Sequence, residues 1–172
     1  EVGPTLTDFV ICAAAHALRL VPGANAAWAD GAVRMYDSVD IALAVNTPTG
    51  LIAPVIRQAD RKELEEIAAE TRTLAAGARE GTLLPADYAG GTFTISNLGM
   101  YGVESLYAIV NPPQSCVLGI GAALSRPVAF GQEVRVARMM ACTLSADHRV
   151  IDGALGAELL AAIKDYIERA GS

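Results

Sequence analysis

Residues Phe9 to Leu20 are apolar on almost every side of a helical wheel, broken only by His16 and Arg19. A helix of that kind must be covered on most of its faces, by a sheet or by another subunit. Thr5 and Asp8 stand before it at capping-box spacing, and Pro22-Gly23 ends it. Nothing chemical is spaced to meet His16, which therefore reads as a structural residue. A bilayer span needs about 20 apolar residues, more than this run provides, and no signal-peptide pattern is present. The chain has 172 residues, enough for one domain with a sizeable core.

The rest of the chain supplies a sheet. Ala26 to Ala29 and Ala32 to Tyr36 flank Asp30-Gly31, a tight-turn pair, and predict a hairpin. Trp28, the sole tryptophan, is expected in the core. Val39, Ile41, Leu43 and Val45 alternate with Asp40, Ala42, Ala44 and Asn46, the period of a strand. Thr47 to Gly50 is a turn, and Leu51 to Ile56 resumes as a strand whose Pro54 demands an edge or a bulge. Asp60 and Glu63 form a second capping-box pattern before an amphipathic helix that carries Leu64, Ile67, Thr71 and Leu74 on one face and closes at Gly81. Its charges read as a solvated face, and Leu83 to Gly91 as a loop. In the strand Thr92 to Ser96, Phe93 and Ile95 point one way and Thr94 and Ser96 the other.

Val103 to Val110 and Ser115 to Ile120 flank Asn111-Pro112-Pro113, a sharp change of direction. Ser125 to Phe130 and Glu133 to Val136 make a hairpin around Gly131-Gln132. Arg138 to Ser145 is apolar on both faces, as a central strand would be. The last helix, Asp152 to Arg169, has a stripe of Leu155, Leu159, Ile163, Tyr166 and Ile167. Helices and strands interleave throughout, which predicts one α/β layer domain with a mixed sheet.

A net charge of −6 and a pI of about 4.8 argue against a nucleic-acid surface. The hydrophobic fraction of 52% and mean hydropathy of +0.35 imply a well-buried sheet or a large subunit interface. Cys12, Cys116 and Cys142 lie in apolar runs without a CxxC pair, so they read as buried reduced thiols and not as a zinc site.

One short stretch carries the chemistry. His148 follows a strand and precedes a helix, a junction that faces clefts, and Asp152 falls one turn away if the chain already coils there. Imidazole titrates near neutrality and can take and return a proton. Ser96 ends its strand on the polar side, before the flexible Asn97-Leu98-Gly99 turn. Plainer roles compete: Asp152 as a helix N-cap, Ser96 as a turn cap.

Three stretches together resemble the catalytic core domain of dihydrolipoamide acyltransferases of 2-oxo-acid dehydrogenase complexes. They are Val45 to Ile56, Gly91 to Met100 continuing through Asn111-Pro112-Pro113 to Gly119, and His148-Arg149-Val150-Ile151-Asp152-Gly153. Their order and spacing match the family from about Thr5 to the last helix. Within it, the Ser96 to Gly102 and Leu144 to Leu160 segments look most like the pyruvate dehydrogenase acetyltransferases.

The resemblance implies a chloramphenicol acetyltransferase-like fold, an α+β two-layer sandwich whose mixed sheet is flanked by helices. It implies a homotrimer with the active site in a channel between subunits, coenzyme A entering one end and a lipoyl arm the other. Acetyl-CoA and coenzyme A are then substrates, the lipoyl group rides on a separate domain, and no metal is needed. By position His148 is the general base, Asp152 its supporting carboxylate, and Ser96 the donor to the tetrahedral oxyanion, with Asn97 beside it at the substrate. Expected partners are the lipoyl domain, the decarboxylase and the dihydrolipoamide dehydrogenase of the complex, with trimers joining into a cubic or icosahedral core. No nucleic acid or membrane partner is implied. The compartment is bacterial cytoplasm or, alternatively, mitochondrial matrix.

Residues 1–172 are expected to be a single catalytic domain without the family's N-terminal segment, its lipoyl and subunit-binding modules, or its apolar C-terminal tail. Two other readings stand beside this one. The chain is a non-catalytic scaffold subunit of such a complex, or a stand-alone acetyltransferase for a small hydroxyl or amine. The acyl group, whether acetyl, succinyl or branched, depends on pocket volume.

Overall fold

The computed structural model describes residues 3–170. Helix α1 (Leu6–Leu20) starts at the expected capping box: the Thr5 amide donates to Asp8 Oδ2 at 2.7 Å and the Asp8 amide to Thr5 Oγ1 at 3.3 Å. Val10, Ile11 and Ala13 to Ala15 are buried, as a helix apolar all round requires. His16 stays exposed, its ring 5.1 Å from that of Tyr166.

The hairpin β1 (Ala26–Ala29) and β2 (Ala32–Met35) turns at Asp30 and Gly31, both at positive φ (53° and 79°), as the turn that matches strand twist needs. Trp28 departs from the core placement expected of it. It is half-buried, with the Arg149 guanidinium 5.4 Å above its ring. The two long strands expected over Val39–Ile56 are each cut in two. β3 (Ile41–Leu43) joins the main sheet, while β4 (Val45–Thr47) leaves at Ala44 to pair with β5 (Gly50–Ile52). The chain re-enters the sheet only after Pro54, as the short edge strand β6 (Val55–Ile56). A proline without an amide proton fits that break.

Helix α2 (Leu64–Glu80) caps one turn later than expected. Glu63 and Glu66 form its box, and Asp60 is drawn away to Arg19 at 3.5 Å. It closes at Gly81 with φ 71°. The following stretch is not all loop. Pro85, preset for a first helical position, opens the single turn α3 (Pro85–Tyr88).

The remaining elements are β7 (Phe93–Asn97), β8 (Cys116–Ile120), the hairpin β9 (Leu124–Phe130) and β10 (Glu133–Met139), β11 (Cys142–Ala146) and α4 (Gly153–Ala170). The five-stranded sheet runs β11-β8-β7-β3-β6, parallel in its centre and antiparallel at both edges. Register places Leu43, Ile95 and Leu118 side by side on one face, and Ser96 beside Gly119 on the other. Helices α1, α2 and α4 cover the first face with Ile11, Leu18, Ile67, Leu159 and Ile163, all at most 1% exposed. Each such side chain contributes about 1.5–3 kcal/mol by its burial. The result is two layers, with Ser96 on the face the helices leave uncovered.

The strand expected to be central is an edge. Residues 138–139 belong to the β9–β10 hairpin, and among the described residues β11 pairs with β8 alone. Its apolar character on both faces has another source. Leu144 packs on the helices, while Thr143 Oγ1 on the opposite face donates to the Leu106 carbonyl. Segment 103–111 thus lies across the sheet where a second layer of strands would otherwise be needed. Two glycines make room for it: a Cβ on Gly121 would fall 1.9 Å from the Glu104 carbonyl oxygen, and one on Gly119 would fall 2.7 Å from the Leu106 carbonyl oxygen. Among the described residues, no helix is long and apolar enough to cross a membrane. Cys12 and Cys116 are buried free thiols and Cys142 is half-buried. Burial pushes the first two up, to about 11 and about 12.

Candidate active site

Ser96 sits near the end of β7, half-buried, and its hydroxyl meets no hydrogen-bond partner among the described residues. Two cavities meet there, sharing Ala44, Leu51, Ser96 and Leu98. The larger, about 750 Å³, runs under segment 103–111 past Ala53, Leu106, Ile109 and Val117, and among the described residues no charged side chain lines it. The smaller, about 240 Å³, opens between α2 and the turn after β7. Arg79 lines it, and so does Thr71, whose buried Oγ1 has no partner among the described residues. Neither the cavities nor these two α2 residues were visible in the motifs. The one signal was the pair of glycines, Gly119 and Gly121, against which segment 103–111 lies.

Asn97, adjacent to Ser96, has its amide engaged at both ends. Nδ2 donates to Thr7 Oγ1 and Oδ1 accepts from the Gly99 amide, each at 2.8 Å.

His148 lies in the turn between β11 and α4, exposed, and no hydrogen-bond partner reaches its imidazole among the described residues. That turn is fixed tightly on either side. The Asp147 amide extends the ladder to the Ser115 carbonyl at 2.8 Å, and its own carbonyl accepts from the Val150 and Ile151 amides at 2.9 Å. The Asp147 carboxylate forks onto Arg149, with Nε to Oδ1 at 3.0 Å and Nη2 to Oδ2 at 2.6 Å. These bonds hold the Asp147 carboxyl down at about 2. Coiling begins only at Gly153, so His148 and Asp152 do not share a helix face. Asp152 is instead the N-cap of α4, its Oδ1 accepting from the Leu155 amide at 2.8 Å. That bond fixes one carboxylate oxygen relative to the His148 turn.

The sheet keeps Ser96 and His148 apart within one chain. Ser96 is opposite Gly119, whereas β11 runs the other way and delivers Asp147 opposite Ser115. With strands about 4.8 Å apart and a rise of about 3.3 Å per residue, Asp147 stands about 16 Å from Ser96. His148 begins one residue further on, beyond the reach of an imidazole to that hydroxyl.

A family model for the 2-oxoacid dehydrogenases acyltransferase (catalytic domain) matches residues 2–172. The acetyltransferase component of the pyruvate dehydrogenase complex of Rickettsia bellii is 50% identical over 164 residues, 95% of this chain and 39% of that protein. Mitochondrial component 2 of Arabidopsis thaliana is 50% identical over 167 residues, 95% of this chain and 31% of that protein. The chain thus spans about two fifths or less of the length of these relatives.

Among solved structures, the cubic core of a pyruvate dehydrogenase multienzyme complex superposes with a TM-score of 0.93 at 38% identity, over 96% of this chain and 69% of that one. A dihydrolipoamide acetyltransferase of Azotobacter vinelandii gives 0.91 at 37%, over 94% and 67%. It was solved to establish the role of a serine, a histidine and an asparagine in catalysis, the serine 52 residues before the histidine and the asparagine 4 after it. A chloramphenicol acetyltransferase, at 18% identity and a TM-score of 0.61 over 94% and 77%, shares the fold. By family match, sequence and fold alike, the chain belongs to the 2-oxoacid dehydrogenases acyltransferase family, in its catalytic domain.

Proposed function

We propose that the chain moves an acetyl group between dihydrolipoamide and coenzyme A within a pyruvate dehydrogenase complex, at a site completed by two copies of the chain. The observation that carries this is a spacing. Ser96 precedes His148 by the same 52 residues, and Asp152 follows by the same 4, that separate the serine, histidine and asparagine of the Azotobacter enzyme. A carboxylate stands here where that enzyme has an amide.

The chemistry suits these side chains. A free thiol has a pKa near ~8.5, so an imidazole can take its proton as the sulfur attacks the thioester carbonyl. The C–S bond to the incoming sulfur forms, and the carbonyl oxygen becomes an oxyanion. Ser96, with an unspent hydroxyl, donates to it, and a single such donor is typically worth ~10²–10³ in rate. Collapse breaks the old C–S bond, and the imidazolium returns its proton to the departing sulfur. Asp152 holds the turn at the start of α4 and offers its second oxygen to the imidazolium. Asn97, spent on Thr7 and Gly99, positions the Ser96 turn instead of touching substrate.

The two cavities suit two different thiols. The uncharged larger one fits a dihydrolipoamide arm, and the smaller one, with Arg79, fits a phosphorylated coenzyme A. Because one chain cannot bring His148 to Ser96, the working unit is an oligomer, a trimer by the family resemblance. The scaffold-only reading is disfavoured by the retained His148, and a small-alcohol acceptor by the size of the uncharged cavity.

Subunit mixing tests this. In the complete protein, Ser96→Ala and His148→Ala assemblies are each expected to lose acetyl transfer to dihydrolipoamide. Dissociated and reassembled together, they regain part of it, because some sites then combine an intact Ser96 with an intact His148 from another copy. No recovery on mixing, or near-parental turnover by His148→Ala, overturns the proposal.

A further inference from the structure

We propose that Arg149, held between the Asp147 carboxylate and the face of Trp28, is a positioning residue that aims His148. The inference rests on His148 being the base. It concerns three side chains outside the serine, histidine and carboxylate set.

An exposed imidazole without a partner has nothing of its own to fix its direction, so the backbone of its turn must do so. The residues on either side of His148 are locked to each other across it. Asp147 and Arg149 share the fork already described, and the Arg149 amide adds a further bond to Asp147 Oδ1 at 3.0 Å. A forked pair alone would fix only the shape of the turn. The stack ties that shape to the body of the domain, because Trp28 belongs to β1 and neighbours Ala27, which bridges to Gln114 just before β8. Gln114 in turn accepts from Thr94, on the same face of β7 as Ser96. The turn that carries the base is therefore registered against the sheet of its own domain.

The pair contributes little by its charge alone. The Arg149 side chain is 62% exposed, and exposed ion pairs stabilise folds only slightly. Its planar, two-pronged shape and flat stacking face are what the site uses, and lysine has neither. A small error in placing a general base costs far more in rate than in stability, up to ~100-fold for about 1 Å.

The experiment uses the complete protein and measures kcat and both KM values for Arg149→Lys, Trp28→Leu and Trp28→Phe, with His148→Ala alongside. Arg149→Lys and Trp28→Leu are expected to lower kcat about 10- to 100-fold, with both KM values and the melting temperature near parental. Trp28→Phe, which keeps an aromatic face, retains most of the activity. The Arg149→Lys/Trp28→Leu double variant falls no further than the worse single one, because both act through one contact. Parental kcat in the single variants, a loss confined to KM, or additive losses would overturn the proposal. If Arg149→Lys fails to fold, the Trp28 variants decide, and equal rates for Trp28→Leu and Trp28→Phe reject it. An inactive His148→Ala beside fully active clamp variants rejects this inference alone, whereas an active His148→Ala removes the base and this inference with it.

Discussion

The side-chain amide of Asn97 donates to the hydroxyl of Thr7 at 2.8 Å, tying the end of the Ser96 strand to the first turn of α1. Alternation explains how: β7 turns Ser96 to the open face and Asn97 to the helix face. Asn97→Ala would leave Thr7 and the Gly99 amide without these partners, a cost of about 1–3 kcal/mol. The melting temperature should fall by several degrees and kcat should fall as Ser96 loses its anchor, with little change in either KM. Asn97→Asp can accept from both groups and should restore most of the stability. Thermal melting and steady-state kinetics on the three proteins check this.

Asp147 supplies a prediction with a definite sign. Its folded carboxyl lies at about 2, below the ordinary value of 3.8, because Arg149 hydrogen-bonds its charged form. The contribution to stability is therefore fully present above the ordinary carboxylate range and is lost as pH falls through about 2. The pair is intact wherever the enzyme is assayed, so Asp147→Asn should lower turnover by a similar factor across the neutral range. Carbon-detected NMR should place the Asp147 midpoint near 2, and Arg149→Gln should move it up toward the ordinary value.

The sequence showed clearly those features that are settled between close neighbours. Thr5 and Asp8 cap α1, Asp30-Gly31 turns the first hairpin, and Phe93 and Ile95 face the helices while Ser96 does not, all as read. It misled where a distant partner intervened. Asp60 looked like a cap but pairs with Arg19, and β11 looked central because segment 103–111 covers one of its faces. At the site, a motif could point to His148, Asp152 and Ser96, since each is fixed by its position along the chain. It could not show that antiparallel pairing carries His148 away from Ser96, nor that Arg149 rests on Trp28, because register and stacking arise only when the sheet closes.

Gly121 tests the roof over the larger cavity. A Cβ there would collide with the backbone carbonyl of Glu104, and backbone cannot step aside as a side chain can. Gly121→Ala should destabilise the chain by about 1–3 kcal/mol, as overpacking does, and lift segment 103–106 from the sheet. The KM for dihydrolipoamide should then rise more than that for coenzyme A. Gly153→Ala is the control: nothing lies within 4 Å of its added methyl, and its melting temperature should stay the same or rise slightly. Equal KM effects on the two thiols in Gly121→Ala would contradict the assignment of cavities.

Arg79 and Thr71 carry the complementary prediction for the smaller cavity. Arg79 is exposed at the cavity and makes no ion pair among the described residues, so its charge is available to a phosphate. Arg79→Ala should raise the KM for coenzyme A about tenfold, the scale of one charge-assisted hydrogen bond, and leave that for dihydrolipoamide unchanged. Added salt should shrink the difference between parent and variant, as screening requires. Thr71→Val separates binding from folding. The buried hydroxyl has no partner among the described residues, so removing it should hold or raise the melting temperature while weakening coenzyme A binding. A variant that weakened dihydrolipoamide instead would reverse the two ends of the site, with the thiol that carries phosphates entering under segment 103–111.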